Sequence, residues 1–464
     1  MSFNVKALGA FKKLGAVSLI TATIFFVACK QTSGGGGGGK QGAPFVEGGA
    51  SLILSPDNLT IKVKATTADG FAITVEGCTE TTLTSDVETE LHAKGTSVVL
   101  KGKIIKLYSG GTLKNRQSLT ALNVQGCAFL QGLNCVNNQL TSLNVQGLTA
   151  LQWLRCEGNQ LPELNVQGLT ALQGLGCSYN KLTELNVQGL TSLQTLGCAG
   201  NQLIELNVQG LTALQGLYCH SNQLTELNLQ GLTSLQKLGC TNNQLTSLNV
   251  QGCTSLQELW CYSNQLTELN VQGLTSLQEL RCEANQLATL NVQGCTALQK
   301  LWCYDNKLTE LNVQGLTSLQ NLRCFSNQLT SLNVQGCASL QRLYCSRNKL
   351  PELKVQGLTS LQGLYCSSNQ LTELNVQGLT ALKELWCYSN QLNAEAMTKL
   401  LNALPTRQSS YIEYSVLYTE ETGVTEGNCK DYTQPAELKA AFEGAKSREW
   451  YLAKFNTSGD SEKL

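Results

Sequence analysis

The chain repeats one pattern of apolar and polar positions every 21 residues. Residues 164–184 read LNVQGLTALQGLGCSYNKLTE, and neighbouring segments repeat this phrase without insertion or deletion. A fixed period of this kind predicts an array of stacked units instead of a domain with a single core. One cysteine marks the same position in every unit, and we call these residues the ladder cysteines: Cys135, Cys156, Cys177, Cys198, Cys219, Cys240, Cys261, Cys282, Cys303, Cys324, Cys345, Cys366 and Cys387.

Within one unit, the apolar residues predict two extended segments. Leu154 and Cys156 alternate with Arg155, which is the period of a strand with one buried face. Leu164 and Val166 repeat that alternation later in the unit. A single unit cannot bury its apolar face alone, so we expect each unit to form one coil of a solenoid. Each coil would pair its strand with the next in a parallel sheet and carry a second, shorter strand on the opposite side.

The repeat resembles the leucine-rich repeat. From Leu151 onwards it reads L-x-x-L-x-C-x-x-N-x-L, which matches that consensus with cysteine in the third leucine position. The 21-residue form with its L-x-x-L-N-V half is similar to a bacterial class of these repeats. The resemblance implies a β-rich solenoid of parallel-stacked coils, with about 13 units over residues 98–392. It also implies that Asn159 and its equivalents, like the row from Gln125 to Gln377, hydrogen-bond the backbone and are structural.

The segment before the array has a different pattern, because the exposed end of an array requires a cap. Residues 59–64 and 71–75 alternate apolar and polar positions, so the region 44–97 is predicted to be β-rich. Residues 98–109 resemble the leucine-rich half of a unit, with Ser109 in the cysteine position. They predict an atypical first coil.

After the array, residues 393–464 are predicted to form a small α/β cap. Apolar residues with helical spacing run over 394–404, and Pro405 ends the helix. This C-terminal region contains neither histidine nor a catalytic motif, so it does not indicate an enzyme domain. Three further elements are predicted in it: strands at 411–418 and 450–455, and a helix at 436–445.

The first 43 residues are predicted to carry an export signal and a tether. Residues 1–29 combine a basic start with an apolar run and the box Phe-Val-Ala-Cys, which resembles a lipoprotein signal peptide. On this interpretation Cys29 is lipidated, residues 30–43 are a glycine-rich flexible linker, and the protein is anchored at the outer membrane and exposed at the surface. Lys30 stands where some lipoproteins carry an aspartate that retains them in the inner membrane. An ordinary secretory signal or an anchor helix is the alternative.

Charge and cysteine content narrow the range of functions. With 33 basic and 33 acidic residues, the chain offers no electrostatic attraction to nucleic acid or to an anionic membrane surface.

Side chains of ladder cysteines on neighbouring parallel strands would lie about 4.8 Å apart without converging, which disfavours disulfides. We therefore predict buried, reduced thiols, and Cys127, Cys253, Cys295 and Cys337 support this because they replace leucine in another position. The chain has no C-x-x-C pair, and neither a metal nor a cofactor is indicated.

Four positions of the unit vary freely, whereas the other positions barely change. They lie three residues before, one residue before, one residue after and two residues after the ladder cysteine. We call them the outward positions. Their side chains are expected to point into solvent, because those beside the cysteine face away from the buried Leu154 and Cys156. All the arginines between residues 130 and 390 occupy outward positions, and so do all the aromatic residues: Trp153, Tyr179, Tyr218, Trp260, Tyr262, Trp302, Tyr304, Phe325, Tyr344, Tyr365, Trp386 and Tyr388.

The outward positions are the candidate ligand-binding face, as the resemblance also implies. A contiguous aromatic patch with arginines is typical of an interaction surface. Alternatively, aromatic residues suit an exposed strand and stack for stability, but Gly176, Gly197 and Gly239 share one position with Trp260 and Trp302. Residues 258–388 are the favoured half. The predicted face consists of Trp153, Arg155, Tyr218, Trp260, Tyr262, Arg281, Trp302, Tyr304, Arg323, Phe325, Arg342, Tyr344, Tyr365, Trp386 and Tyr388.

The sequence predicts a surface lipoprotein that binds a macromolecule and is not an enzyme, resembling adhesins of spirochaetes and oral bacteria. The first candidate ligand is a protein of a host or neighbouring cell, and a glycan is the second. The rival class is a structural scaffold that contacts copies of itself. Glu258 and Glu279 share an outward position on adjacent coils, about 5 Å apart, as in a retaining glycosidase. Lys300 continues that row and the face is open, so catalysis is not indicated.

Overall fold

The computed structural model describes residues 42–111, 118–407 and 414–464. The predicted lipid attachment at Cys29 and nearly all of the predicted linker lie outside these residues. The first part of the strand predicted at 411–418 lies outside them as well. Within the described part of the chain, no helix is both long and apolar enough to cross a membrane.

Strands β1 to β8 precede the first repeat strand and build an N-terminal cap. Five of these strands form an antiparallel sheet in the order β4-β3-β6-β1-β8, while β2 pairs with β5 and β7. Strand β7 also lies parallel to the first repeat strand, so the cap is continuous with the array. The strands are β1 (Gly49–Leu54), β2 (Thr60–Thr67), β3 (Ile73–Glu76), β4 (Thr82–Leu83), β5 (Thr89–His92), β6 (Ser97–Lys101), β7 (Ile104–Tyr108) and β8 (Leu119–Asn123).

The predicted strands at 59–64 and 71–75 are confirmed as β2 and β3. The predicted first coil is also present, since Leu107 lies opposite Leu133 of the first repeat strand. The Ser109 N–H donates to the Asn134 carbonyl at 2.8 Å, as a ladder cysteine does in later units. The beginning of that predicted segment lies in β6, which pairs with β1 and β3 inside the cap.

Each repeat unit contributes a three-residue strand to one parallel sheet. Neighbouring strands pair with a shift of one unit, so that Leu154 lies opposite Leu133 on one side and Leu175 on the other. Together with β7, β2 and β5 they form a sheet of 16 strands within the described residues, and the predicted solenoid is confirmed. The strands are β9 (Gly132–Asn134), β10 (Trp153–Arg155), β11 (Gly174–Gly176), β12 (Thr195–Gly197), β13 (Gly216–Tyr218), β14 (Lys237–Gly239), β15 (Glu258–Trp260), β16 (Glu279–Arg281), β17 (Lys300–Trp302), β19 (Asn321–Arg323), β21 (Arg342–Tyr344), β22 (Gly363–Tyr365) and β23 (Glu384–Trp386), with β18 (Glu310–Asn312) and β20 (Ser331–Asn333) on the opposite side.

Leucine and cysteine fill the interior of the array, as the alternating pattern predicts. Leu154 and Cys156 are fully buried, whereas Arg155 between them is exposed. The ladder cysteines are buried, and every cysteine in the described ranges is a free thiol. Burial raises the pKa of the Cys135 and Cys324 thiols to about 12. These thiols are therefore uncharged at neutral pH and pack as small apolar side chains.

An asparagine in each unit fixes the turn that follows the repeat strand. The Asn159 Nδ2 donates to the carbonyl of Cys156 at 3.0 Å and to that of Cys135, one coil earlier, at 2.9 Å. Its Oδ1 accepts from the Leu140 N–H at 3.0 Å. The implied structural role of this row is confirmed. Because the side chain satisfies backbone groups of two coils, it ties neighbouring units together.

The expectation of a second strand in every unit is wrong. On that side of the described array, β18 and β20 pair in parallel, and only isolated bridges link asparagines of preceding units. The Asn165 Oδ1 accepts from the Gln167 N–H at 3.0 Å, and the same turn follows β18 and β20. The Gln167 Nε2 then donates to the Asn186 carbonyl of the next coil at 2.9 Å. These bonds join neighbouring coils on this side whether or not the backbone pairs there as strands.

The C-terminal cap closes the last coil. The predicted helices at 394–404 and 436–445 and the predicted strand at 450–455 are confirmed, as is the described part of the strand predicted at 411–418. A short edge strand, β26 (Ser461–Lys463), was not predicted. The Cys387 N–H donates to the Val416 carbonyl at 3.0 Å and the Leu385 N–H to the Ser415 hydroxyl at 3.2 Å. These bonds place the first cap strand against β23. The cap elements are α1 (Ala394–Ala403), β24 (Tyr414–Thr419), α2 (Ala436–Ser447), β25 (Tyr451–Phe455) and β26 (Ser461–Lys463).

Candidate ligand-binding face

The outward positions form rows across the sheet, because each unit places them at the same point of its strand. The position before the ladder cysteine provides the longest aromatic and basic row. Neighbours in a row are one strand spacing apart, about 4.8 Å, which allows flat side chains to stack. Strand pairing places seven predicted residues on consecutive strands of this row: Trp260, Arg281, Trp302, Arg323, Tyr344, Tyr365 and Trp386.

The outer face divides into two regions. Strands β15 to β22 in the sheet, residues 258–367, form the aromatic region, which also contains Tyr262, Tyr304 and Phe325 just after their strands. Strands β11 to β14, residues 174–241, form the glycine region, where Tyr218 is the one predicted ligand-binding residue. Trp153 and Arg155 lie on β10, which four strands separate from β15. The structure therefore does not bring them together with the aromatic region.

Rings and guanidinium groups stack along the aromatic region. The Arg281 and Arg323 guanidinium carbons lie 4.0 Å and 4.3 Å from the Trp302 ring centroid. Arg323 also lies 4.9 Å from the Tyr344 ring, whose centroid is 4.3 Å from that of Tyr365. Cation–π and stacked contacts of this kind are each favourable. The row is therefore a connected assembly and not a set of independent side chains.

This stacking corrects the expectation that the outward side chains point freely into solvent. Trp260, Trp302, Tyr304 and Phe325 are only half-exposed. The Tyr304 and Phe325 rings, for example, are nearly parallel, with centroids 4.3 Å apart. In contrast, Trp153 is 46% exposed. Outward side chains on adjacent coils partly bury one another. The alternation of inward and outward residues within one strand cannot predict this burial, because it depends on the neighbouring coils.

A buried carboxylate lies within the aromatic region and was not predicted. The Glu283 Oε1 accepts from the Arg281 Nη2 at 3.2 Å, and the Glu283 residue is 2% exposed. Burial raises the pKa of this carboxyl above its ordinary value, and the nearby arginines offset that effect only in part. The signal in the sequence is the Arg-Cys-Glu triplet. It occurs also at Arg155 and Glu157, where both side chains are more exposed.

Several polar atoms of the aromatic region are buried without a hydrogen-bond partner. Buried polar atoms are usually paired, so a concentration of unpaired ones needs an explanation. Across residues 174–241, all of which the structure describes, no side-chain atom is in this condition. The unpaired atoms of the aromatic region are Trp260 Nε1, Arg281 Nε, Glu283 Oε2, Trp302 Nε1, Asn321 Oδ1 and Arg323 Nε.

The last two predicted residues serve the C-terminal cap. The Trp386 Nε1 donates to the Tyr414 carbonyl at 3.1 Å. The Phe455 ring packs against Trp386 and Tyr388, with centroid distances of 5.7 Å and 5.1 Å and nearly perpendicular planes. Trp386 and Tyr388 thus hold the cap strand β25 against the end of the array. This use leaves them less available for a ligand than Trp260 or Trp302.

The two adjacent glutamates of the face are engaged in ion pairs. Glu258 lies opposite Glu279 in the sheet, as the sequence predicts. However, Glu258 pairs with Lys237 at 2.7 Å, and Glu279 pairs with Lys300 at 3.1 Å. The two carboxylates are parts of a charge network on an open sheet.

No family model and no curated protein matches the chain. Solved structures do match it. The functional domain of InlJ from Listeria monocytogenes, described as including a cysteine ladder, is 29% identical with a TM-score of 0.53, covering 66% of this chain and 73% of that one. The fold is that of the leucine-rich repeat proteins.

Two further structures share this leucine-rich repeat fold. The internalin InlF from Listeria monocytogenes is 24% identical with a TM-score of 0.51, covering 63% of this chain and 84% of that one. A plant peptide hormone receptor, RGFR1 in complex with RGF2, is 24% identical with a TM-score of 0.51. That match covers 64% of this chain and 53% of the receptor chain. Both similarities concern the fold alone.

Proposed function

We propose that this leucine-rich repeat protein is a surface-anchored adhesin that binds a protein ligand through the aromatic region of its sheet. One observation carries the proposal. Aromatic side chains, arginines and unpaired buried polar atoms are concentrated in the aromatic region, although the interior is the same along the whole array. Tryptophan, tyrosine and arginine are the residues that dominate protein-binding hot spots.

The stacking geometry favours a protein ligand over a glycan. A sugar ring that stacks on an aromatic side chain needs an open ring face. Both faces of Trp302 are occupied, one by Arg281 and the other by Arg323. One face of Tyr304 is covered by Phe325, and Tyr344 lies between Arg323 and Tyr365. The edges of these rings remain for the flat, hydrogen-bonded contacts that a protein surface makes.

The anchoring part of the proposal rests on the signal-like sequence before Cys29 and the glycine-rich segment after it. A lipid on Cys29 would hold the array at the outer membrane, where proteins of a host or a neighbouring cell are within reach. The Cys29→Ala protein should then move from the detergent phase to the soluble fraction. Unchanged membrane partitioning would remove the anchor from the proposal.

The binding experiment compares two tryptophan variants. The protein and its Trp260→Ala/Trp302→Ala variant are immobilised and used to capture proteins from extracts of extracellular matrix and of cell surfaces. Captured proteins should bind the variant at least about tenfold more weakly, which corresponds to a loss of about 1.4 kcal/mol in binding free energy. The matched control is Trp153→Ala, on β10 beyond the glycine region, and it should bind like the unmodified protein.

Two outcomes would contradict the proposal. Equal capture by all three proteins would place the ligand on another surface. The second outcome combines two results: sedimentation shows that the tryptophan variant no longer self-associates, and the variant still captures every protein. That outcome would support the structural scaffold instead. Circular dichroism melts of each variant establish that the array remains folded during the comparison.

A further inference from the structure

Basic side chains on the outer face change their pairing at β19. On earlier strands of the described face, each lysine or arginine in an outward position has a carboxylate partner within 4 Å. These ion pairs are Arg155–Glu157 at 3.2 Å, Lys237–Glu258 at 2.7 Å, Arg281–Glu283 at 3.2 Å and Lys300–Glu279 at 3.1 Å. From β19 onwards, Arg323, Arg342 and Arg347 have no carboxylate within 4 Å among the described residues, and Arg323 interacts with Glu283 only at longer range. The face therefore acquires uncompensated positive charge at one place.

The three arginines belong to two adjacent units. Asn321 of β19 lies opposite Arg342 of β21, and Arg323 lies opposite Tyr344. Arg347 lies in the bend after β21, in the same unit as Arg342, and its backbone is left-handed there, with φ at 55°. The outward positions of these two units contain no acidic residue.

A shallow depression adjoins Arg342. It has a volume of about 250 Å³ and is lined by Lys300, Asn321 and Arg342, one outward position on three neighbouring strands, and by Gln320, Gln341 and Gln362. Lysine, arginine and glutamine side chains can all donate to a carboxylate. The depression thus offers donors to an acidic side chain.

Arg323 is held in place before any ligand arrives. Its guanidinium lies between the rings of Trp302, at 4.3 Å, and Tyr344, at 4.9 Å. A guanidinium is planar and can bind a carboxylate through two parallel hydrogen bonds, so a fixed orientation reduces the entropy lost on binding. Arg342 and Arg347 are exposed and complete the site.

We infer that Arg323, Arg342, Arg347 and the adjoining depression bind an acidic peptide segment, one that presents several aspartate or glutamate side chains in an extended stretch. This inference rests on the proposed function and specifies the chemistry of the protein ligand. Charge complementarity selects an acidic segment, because nothing on these two strands neutralises the arginines. The covered ring faces argue against an anionic polysaccharide as the occupant.

The test uses a fluorescently labelled peptide rich in glutamate and aspartate, with a matched peptide that carries glutamine and asparagine instead. Fluorescence anisotropy with the full chain should show binding of the acidic peptide alone, and weaker binding at high ionic strength. The Arg342→Gln/Arg347→Gln variant should bind it at least about tenfold more weakly. Both residues are exposed, so this variant should fold normally.

Controls separate the possible outcomes. Lys237→Gln removes an ion-paired charge from the same face and should leave peptide binding unchanged. No preference for the acidic peptide, or an equal loss in Lys237→Gln, would overturn the inference. Tighter, arginine-dependent binding of hyaluronan, a uronic acid polymer, would overturn it in favour of a glycan. If captured proteins still depend on Trp260 and Trp302 while the acidic peptide fails to bind, the proposed function stands and this inference fails.

Discussion

The glycine region and the aromatic region are built on the same interior but present different surfaces. Leu196 and Leu301 are both fully buried, and so are Cys198 and Cys303 beside them. Their outward neighbours differ, since Gly197 occupies the position that Trp302 occupies farther along. The comparison separates the residues that make a coil from those that decide what the coil can bind.

The glycines are partly a consequence of their neighbours. A Cβ atom on Gly174 would lie 2.2 Å from the Trp153 ring, and one on Gly176 would lie 2.3 Å from the Glu157 carboxylate. Large side chains of the β10 unit thus extend over the next unit and need the space that glycine leaves. In the aromatic region, several large side chains instead stack on one another, as Arg281, Trp302 and Arg323 do. The two regions are alternative ways of filling the same outer surface.

The largest effect is expected where the two regions are identical. Asn201→Ala in the glycine region and Asn306→Ala in the aromatic region each remove the hydrogen bonds that tie one coil to the preceding coil. In each variant one buried backbone N–H loses its partner, while two carbonyls each keep a second asparagine donor, so the free energy of unfolding should fall by about 2–3 kcal/mol. Urea unfolding should give equal losses within about 0.5 kcal/mol. A clearly larger loss in one region would mean that the outer face supports the turn.

A smaller effect should distinguish the regions. Trp302→Ala removes contacts with Arg281 and Arg323, each worth about 0.5–1 kcal/mol, and should lower the free energy of unfolding by about 1–2 kcal/mol. Trp153→Ala, which truncates a more exposed ring, should change it by no more than about 0.5 kcal/mol. Trp302→Phe keeps a ring between the arginines and should recover part of the loss. Equal effects at Trp153 and Trp302 would show that the stack adds nothing to stability.

The period of the sequence was sufficient to predict the array, its parallel sheet and its buried residues. Leu154 and Cys156 alternate with Arg155, and stacking at a fixed step leaves one arrangement in which all copies are buried. The cap helices were predictable for a similar reason, since their apolar spacing and Pro405 define them locally. The absence of the second strand from most units was not, because the same Asn-Val-Gln turn occurs in units with that strand and in units without it.

The candidate site was predictable in location but not in its contacts. Alternation within a strand shows which side chains leave the core, and it places Trp302 outward correctly. It does not show that Arg281 and Arg323 cover that ring, which depends on residues one unit away in each direction. Comparing residues at a step of 21 would have revealed that arrangement. The covering of Trp386 by the cap could not be read from the repeat at all, because Phe455 belongs to another element.

The smallest effect concerns the two Arg-Cys-Glu triplets. Glu283 is nearly buried and burial raises its carboxyl pKa, so the native state binds this proton more tightly than the unfolded state does. Stability from this group is therefore fully present below the unfolded pKa and is lost as the pH rises through the raised native pKa. At neutral pH the charged carboxylate costs stability, and Glu283→Gln should relieve that cost.

Thermal melts at several pH values can isolate this effect. Glu283→Gln should raise the melting temperature slightly at pH 7, and the difference should vanish at acidic pH, where the native glutamate is itself neutral. Glu157→Gln is the matched control, because its triplet has the same hydrogen bond to arginine but a more exposed carboxylate. It removes an ion pair at a more exposed site and should change the melting temperature little at pH 7, since water screens the charge. If Glu283→Gln is less stable than the unmodified protein at pH 7, the attraction of Arg281 outweighs burial, and the ion pair stabilises the aromatic region.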